Sequence, residues 1–239
     1  MDGSLEGPGP LLLVADERDV PSGWEAPLVE AAGGTVLVLP TAAAYERPER
    51  AVAAAAARFG GPSRVEACFV LRREDAEDAR LAAQVGDARA LYLCGASPMH
   101  LRSVLKDSLV LQALLSAWRS GAAVVGAGGA ATALSDPMVD PRGGAFTVGL
   151  GLVRDLAAVY GNELDEAQLR RTLALAPPSC AVVALGEDAA LRRDREGTWR
   201  REGNGELAVY VEGRPAGLDA LAGKALHAAL GQRSATPTS

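Results

Sequence analysis

The sequence contains few cysteines and histidines, the residues on which disulfide-stabilised and many metal-binding proteins depend. Three of its 239 residues are cysteines (Cys68, Cys94 and Cys180), they form no CxxC pair, and their number is odd. A disulfide framework is therefore not expected, and a reducing, cytoplasmic location is predicted. The two histidines, His100 and His227, have no Cys or carboxylate at ligand spacing. We therefore predict no metal site and no cofactor.

Lysines and long apolar runs are also scarce. Lysine occurs only at Lys106 and Lys224, the net charge is −6 and the pI is about 5.1. A surface that binds nucleic acid generally needs a basic face, so nucleic acid is not an expected partner. The apolar run at residues 11–14 is far too short for a signal core or a membrane span, so no contact with a membrane is expected.

What the sequence does contain, in its first half, is an alternation of short apolar runs with alanine-rich helical patterns. Strands are predicted at Leu11–Ala15, Thr35–Leu39, Arg64–Leu71, Ala90–Cys94 and Ala122–Gly126. Helices are predicted at Trp24–Ala32, Glu46–Phe59, Asp75–Val85 and Met99–Trp118. This order predicts an α/β fold, a three-layer αβα sandwich with a mainly parallel central sheet. In such sheets, sites form beyond the carboxyl ends of the strands.

The last third has a different pattern. Short β segments with tight turns are predicted at Cys180–Leu185, Ala189–Arg193, Thr198–Arg201 and Leu207–Val211, followed by a helix at Gly217–Leu230. No linker separates two units, so residues 1–239 are predicted to form a single α/β domain. Residues 1–10 and 232–239 are expected to be frayed ends.

A glycine-rich turn follows the fifth predicted strand. The segment Ala122–Thr132 runs from an apolar strand through Gly126, Gly128 and Gly129 into a helix. Strand, tight turn and helix form the geometry of a nucleophile elbow, in which the attacking side chain projects from the turn. Gly128 occupies the apex, and it has no side chain with which to attack.

Five segments in the same order resemble those of one peptidase family. They are residues 91–102 (LYLCGASPMHLR), 104–108 (VLKDS), 126–131 (GAGGAA), 136–152 (DPMVDPRGGAFTVGLGL) and 185–191 (LGEDAAL). In this order they are similar to motifs of the peptidase S51 family, which includes cyanophycinase and the aspartyl dipeptidases. The resemblance implies a class I glutamine amidotransferase-like (flavodoxin-like) fold, hydrolysis of aspartyl or β-aspartyl peptide bonds, and a dimer.

The chain departs from that family at the residues that carry the reaction. The position of the family's nucleophilic serine is Gly128, and the position of its histidine falls near Tyr160–Asn162, where there is no histidine. The second glycine of the oxyanion loop is Ala96. The family's acidic residue is kept as Glu187, although Gly186 replaces the Asp before it. A serine hydrolase needs nucleophile, base and oxyanion donors together, so the chain is interpreted as a catalytically degenerate homologue.

The leading hypothesis is a non-catalytic protein that keeps the fold and the pocket for a small acidic or peptide ligand, or for a partner. The partner is expected to be a second copy or an active homologue. The residues predicted to bind the ligand are Gly95, Ala96, Ser97, Gly128 and Gly129.

Other functions remain open from the sequence. One is an enzyme with relocated chemistry, in which Cys94, Tyr160, Glu187 or His100 acts on a different substrate, with Cys94 as the alternative nucleophile. Two further ones are a residual aspartyl or β-aspartyl peptide hydrolase and a decayed gene product. The relocated chemistry has a simpler alternative, in which Cys94 is an inert core thiol and His100 has a structural role.

Overall fold

The structure is a computed structural model and describes residues 8–15, 25–160 and 166–224. The strands in these ranges are β1 (Leu11–Val14), β2 (Val36–Leu39), β3 (Val65–Ala67), β4 (Ala90–Leu93), β5 (Ala123–Ala127), β6 (Ser135–Asp136), β7 (Met138–Val139), β8 (Phe146–Thr147), β9 (Val153–Arg154), β10 (Leu156–Tyr160), β11 (Ala181–Leu185), β12 (Ala189–Arg193), β13 (Trp199–Gly203), β14 (Leu207–Val211) and β15 (Arg214–Ala216). The α-helices are α1 (Glu25–Ala31), α2 (Pro48–Arg58), α3 (Arg73–Ala76), α4 (Ala79–Asp87), α5 (Pro98–Leu105), α6 (Leu109–Arg119), α7 (Gly129–Leu134) and α8 (Glu166–Leu175). Short 3₁₀ turns lie at Thr41–Ala43, Pro62–Arg64 and Leu218–Leu221.

The first sheet has seven strands in the order β13-β12-β1-β5-β4-β2-β3. Strands β1 to β5 are mutually parallel, whereas β12 runs antiparallel to β1 and β13 antiparallel to β12. The parallel strands are joined through helices, as parallel strands must be. Their carboxyl ends therefore meet at one edge of the sheet, here called the carboxyl edge.

One face of this sheet is covered by the first two helices. Leu12 and Val14 of β1 point to this face and belong to a buried apolar cluster with Leu28 of α1 and Phe59 of α2. Burial of such side chains contributes about 25 cal/mol for each Å² removed from water. The first two helices thus form one outer layer.

The opposite face is covered by the later helices. Leu11 and Leu13, which alternate with Leu12 and Val14, share a second buried cluster with Leu101 of α5, Leu114 of α6 and Leu134 of α7. Because successive strand residues point to opposite faces, continuous apolar runs are what a strand buried on both sides requires. The predicted α/β fold with a mainly parallel central sheet between helices is confirmed.

A second sheet of six strands, in the order β15-β14-β11-β10-β6-β9, was not predicted from the sequence. Strands β10 and β11 are parallel, and β14 pairs antiparallel with β11. Ala158 and Val183 face the main cluster, whereas Val159 and Val182 form a separate cluster with Leu173 of α8. The sequence pattern identified β11 and β14 individually, but the pairing that unites them with β10 joins residues far apart in the chain.

Two helical predictions are corrected. The single helix predicted at Met99–Trp118 is two helices, because Asp107 adopts a positive φ of 58° and Ser108 starts α6 by accepting a hydrogen bond from Leu111 N at 3.1 Å. The helix predicted at Asp75–Val85 is also divided, since the Asp78 carboxylate caps α4.

The predicted frayed amino terminus needs a correction as well. Gly9 is buried, its N–H donates to Trp118 O at 2.7 Å, and its carbonyl accepts from Trp118 Nε1 at 2.8 Å. The fraying predicted for residues 1–7 and 232–239 lies outside the described residues. The helix predicted at Gly217–Leu230 is corrected in its described part, where a 3₁₀ turn at Leu218–Leu221 ends at Ala222 in an extended conformation; residues 225–230 lie outside the described residues. No helix in the described ranges is long and apolar enough to cross a membrane.

Candidate functional site

The turn between β5 and α7 has the backbone of a nucleophile elbow. Gly128 adopts φ 60° and ψ −128°, a conformation that strains any residue with a Cβ. Its N–H donates to Val14 O at 3.0 Å, and its carbonyl accepts from Ala131 N at 3.0 Å. The turn therefore has the shape from which a nucleophile projects, but its apex is a buried glycine.

Small residues let this turn pack directly against the loop after β4. A Cβ on Gly129 would lie 2.5 Å from Ala96 O, and a Cβ on Gly126 would lie 2.7 Å from Leu134 Cδ1. Both distances are shorter than real Cβ contacts; glycine is required at position 129, where the contact is with backbone, whereas at position 126 the Leu134 side chain would have to move. The elbow and the loop at residues 95–98 are consequently in backbone contact.

The loop at residues 95–98 is held on its other side by the 3₁₀ turn after β2. Gly95 has φ 123°, and a Cβ there would lie 2.0 Å from Ala43 N. Ser97 N donates to Ala42 O at 3.0 Å, and Ser97 Oγ accepts from His100 N at 3.3 Å as the cap of α5. The hydroxyl of Ser97, a residue predicted to bind the ligand, thus has a structural role at the start of a helix.

The elbow, the loop and the end of β10 surround one small cavity. Pro98, Thr132 and Tyr160 line it together with Val139 and Gln168, and its volume is about 20 Å³. This is room for roughly one water molecule, far below the ~300 Å³ at which typical ligand pockets begin. Half-buried Tyr160, near which the position of the family's histidine is predicted to fall, lines the same cavity as Thr132 of the elbow helix.

Glu187, the retained acid, lies near this end of the second sheet. Leu185, the last residue of β11, pairs with Tyr160, and exposed Glu187 follows two residues later. The turn is fixed by Asp188, which has φ 56° and whose carbonyl accepts from Gly205 N at 2.8 Å. The retained acid thus projects from an ordered turn on the side of the molecule where β10 ends.

Cys94, the alternative nucleophile, is placed differently. It is fully buried and belongs to the cluster of Leu12 and Val125 under α1 and α2, on the opposite face of the sheet from α7. The other thiols are also buried, and burial raises the pKa of both Cys68 and Cys180 from the ordinary value of 9.0 to about 11. The location of Cys94 is that of a core residue.

His100 makes its contacts away from the elbow. Its Nε2 lies 2.9 Å from Leu71 O, and its ring packs edge-on against that of Tyr45 at 4.7 Å between centroids. The Tyr45 side chain is 82% exposed, so this pair lies at the surface. The contacts support the structural interpretation of His100.

The two aspartates of the segment at residues 136–152 accept hydrogen bonds from backbone N–H groups of the same segment. Asp136 Oδ1 accepts from Gly149 N at 3.1 Å. The side-chain hydrogen bond from Arg142 holds the pKa of the Asp140 carboxyl below its usual value, and the backbone N–H of Arg142 adds to this.

Several predicted residues lie outside the described ranges or away from the cavity. Asn162 and His227 lie outside the described ranges. Arg170 pairs with Glu166 at 2.6 Å on the exposed side of α8. Within residues 8–15, 25–160 and 166–224, no group of three or more His, Cys, Asp or Glu side chains could hold a metal ion.

Sequence reasoning missed three residues around the site. Thr132 and Gln168 line the cavity, and buried Thr41 Oγ1 has no hydrogen-bond partner in the described part of the chain. Thr132 belongs to the glycine-rich segment and could have been found from it. Gln168 and Thr41 reach this edge only through the fold, and no local pattern marks them.

No protein-family profile matches the chain, and no curated protein matches it in sequence. Solved structures do match. One is a peptidase from an acI-B1 actinobacterium, 21% identical, with a TM-score of 0.75 over 90% of this chain and 96% of that one. Another is a protein from Listeria monocytogenes EGD-e described as a candidate peptidase E, 16% identical, with a TM-score of 0.57 over 85% of this chain and 98% of that one.

These likenesses show that the chain has a peptidase S51-like fold. The flavodoxin-like fold implied by the motif resemblance is therefore confirmed.

Proposed function

We propose that this chain is a non-catalytic protein built on the peptidase S51-like fold, in which the former reaction site binds a ligand or a partner. The observation that carries the proposal is Gly128, which keeps the elbow backbone at φ 60° and ψ −128° without a nucleophile. Covalent hydrolysis needs an attacking atom at this turn and a base within hydrogen-bond reach.

The position of the base supports the same conclusion. Tyr160 lies at the cavity near which the family's histidine is expected, and it offers a phenol there instead of an imidazole, the commonest general base. With both attacking groups replaced, oxyanion stabilisation and binding alone leave only roughly 10³- to 10⁴-fold acceleration over water.

Relocated chemistry is less well supported. The Cys94 thiol is fully buried in an apolar cluster on the other face of the sheet, and a reactive cysteine is generally partly exposed in an electropositive setting. Ser97 Oγ is engaged as a helix cap. Glu187 remains as an acid, but an acid without a nucleophile does not complete a hydrolase.

The proposed ligand is small and acidic. The cavity of about 20 Å³ admits a group no larger than roughly a water molecule, so a ligand at the elbow, a dipeptide included, would lie mostly outside it. Exposed Ala96 lies beside Gly129, which leaves this side of the loop open to a carboxylate or to a partner's side chain. A second copy of the chain or an active homologue is the partner we propose.

The decisive experiment is a peptidase assay read by mass spectrometry on aspartyl and β-aspartyl dipeptides. It compares the wild type with Gly128→Ser, Tyr160→His and the double variant. We expect a silent wild type and weak cleavage by the double variant alone, because only that variant restores both nucleophile and base. Gly143→Ser is the matched control, since no atom lies within 4 Å of its Cβ position.

Two outcomes would overturn the proposal. Enzyme-like turnover by the wild type would show an active site, and Cys94→Ala and Glu187→Gln would then identify the groups responsible. A native pull-down followed by mass spectrometry that recovers neither a ligand nor a partner would remove the binding role.

A further inference from the structure

A groove lies at the amino ends of β1 and β5, at the opposite end of these strands from the elbow. It has a volume of about 470 Å³ and is bounded by the first half of β1, the start of β5, α1 and the β12–β13 hairpin. This is within the ~300–1,000 Å³ range of pockets that bind small molecules. We name it the amino-end groove, and define it by Leu12, Leu28, Val125, Arg192, Arg195 and Glu202.

The floor of the amino-end groove is apolar. Leu12 and Val125 are direct neighbours in the parallel pairing of β1 with β5, and Leu28 of α1 forms a wall above them. All three belong to the same buried cluster. They are almost wholly buried, with Leu28 8% and Val125 1% exposed, so a ligand seated here meets only their outer edges.

One end of the groove is cationic. Arg192 stands opposite Leu12 in the sheet, and its Nη1 lies 3.3 Å from Glu202 Oε1. Arg195 also lines the groove, and no carboxylate of the described residues is within ion-pair distance of it. Two guanidinium groups therefore face one carboxylate, which leaves one positive charge uncompensated.

Arg195 is also incompletely hydrogen-bonded. Its Nη2 donates to Gly121 O at 2.7 Å, which anchors the side chain, but its buried Nη1 has no acceptor in the described part of the chain. A buried donor of a charged group without an acceptor destabilises the protein, so such groups are rare unless something supplies the acceptor. Because Nη1 packs against Gly121 and has almost no accessible surface, an anionic group in the groove would reach Arg195 only through its other guanidinium nitrogens.

From these observations we propose that the amino-end groove binds an amphipathic monocarboxylate, with its apolar chain over Leu12, Leu28 and Val125 and its carboxylate at Arg195. Guanidinium groups bind carboxylates through strong charge-assisted hydrogen bonds, and aliphatic floors select an apolar chain. The site is separate from the elbow and does not depend on the function proposed for it.

The test uses octanoate as the probe and octanol as its uncharged match. Isothermal titration calorimetry of the full chain gives the affinities, and methyl NMR of Leu12, Leu28 and Val125 locates the bound probe. We expect octanoate to bind about 10- to 100-fold more tightly than octanol, the value of a hydrogen bond to a charged group. Arg195→Ala should remove this preference while octanol binding is retained.

A second variant separates loss of binding from loss of folding. Ala31→Trp on the exposed wall of α1 should block both probes while leaving the unfolding transition in place. Gly128→Ser, at the other end of the sheet, should leave octanoate binding unchanged. Equal affinities for octanoate and octanol, an unchanged affinity in a folded Arg195→Ala variant, or methyl shifts away from the groove would each overturn the proposal.

Discussion

The two ends of the first sheet are built in opposite ways. At the carboxyl edge, Gly95 and Gly129 bring backbone segments into direct contact, and the cavity that remains is about 20 Å³. At the amino end, the groove beside Leu12 has about 470 Å³. The likeness to peptidases therefore directs attention to the end that has little room for a ligand, while the larger space lies elsewhere.

The difference has a structural cause. At the carboxyl edge, five parallel strands end together and their loops pack on one another through residues without side chains. At the amino end, the groove lies between α1 and the β12–β13 hairpin, whose strand β12 pairs antiparallel with β1. Among the described residues, Arg192 and Arg195 line this space without filling it.

The largest effect we expect comes from adding one methyl group at the carboxyl edge. Gly95→Ala would place a Cβ 2.0 Å from Ala43 N at φ 123°, so the loop must move. We expect a loss of at least about 3 kcal/mol in the free energy of unfolding, measured by urea denaturation. Gly143→Ala, where no atom lies within 4 Å, is the control and should change stability by less than ~0.5 kcal/mol. Equal stabilities of the two variants would mean that the carboxyl edge is not closely packed.

An intermediate effect is expected at alkaline pH. Burial raises the pKa of Cys68, next to the carboxyl end of β3, from 9.0 to about 11. Above pH 9 the unfolded chain loses this proton while the folded protein keeps it, so stability falls as the pH rises from about 9 to 11. Urea denaturation at pH 8 and pH 10.5 should show a smaller loss for Cys68→Ala than for the wild type.

Cys180 has the same raised pKa in the second sheet, so Cys180→Ala should behave in the same way. Wild type and both variants losing equal stability over this interval would contradict the burial argument. It would mean that the pKa of these thiols is the same in the folded protein as in the unfolded chain.

The smallest effect is expected from adding bulk at the amino end. Ala31→Leu extends an exposed side chain on the wall of the groove, where there is open space. Its thermal unfolding should match that of the wild type to within ~0.5 kcal/mol, in contrast to the single methyl group at Gly95. A large loss of stability would show that the groove is occupied by other parts of the protein.

Local patterns predicted most of the elements near the two edges. The five parallel strands and the glycine-rich turn at Gly128 were found because buried strands and tight turns have composition that can be recognised along the chain. Helix breaks at Asp107 and Asp78 were missed, since a single residue in a cap conformation does not interrupt an apolar repeat. The second sheet was missed because its short strands pair over long separations in the chain.

The sequence by itself determined the α/β fold class, the elbow turn and the absence of a nucleophile at its apex, because each is a property of consecutive residues. Only the tertiary structure decided that Tyr160 shares a cavity with Thr132, that this cavity is nearly closed, and that Cys94 faces away from the elbow helix. It also decided that Arg195 stands beside an apolar groove. These are properties of packing between segments distant in the chain, and no local pattern of residues encodes them.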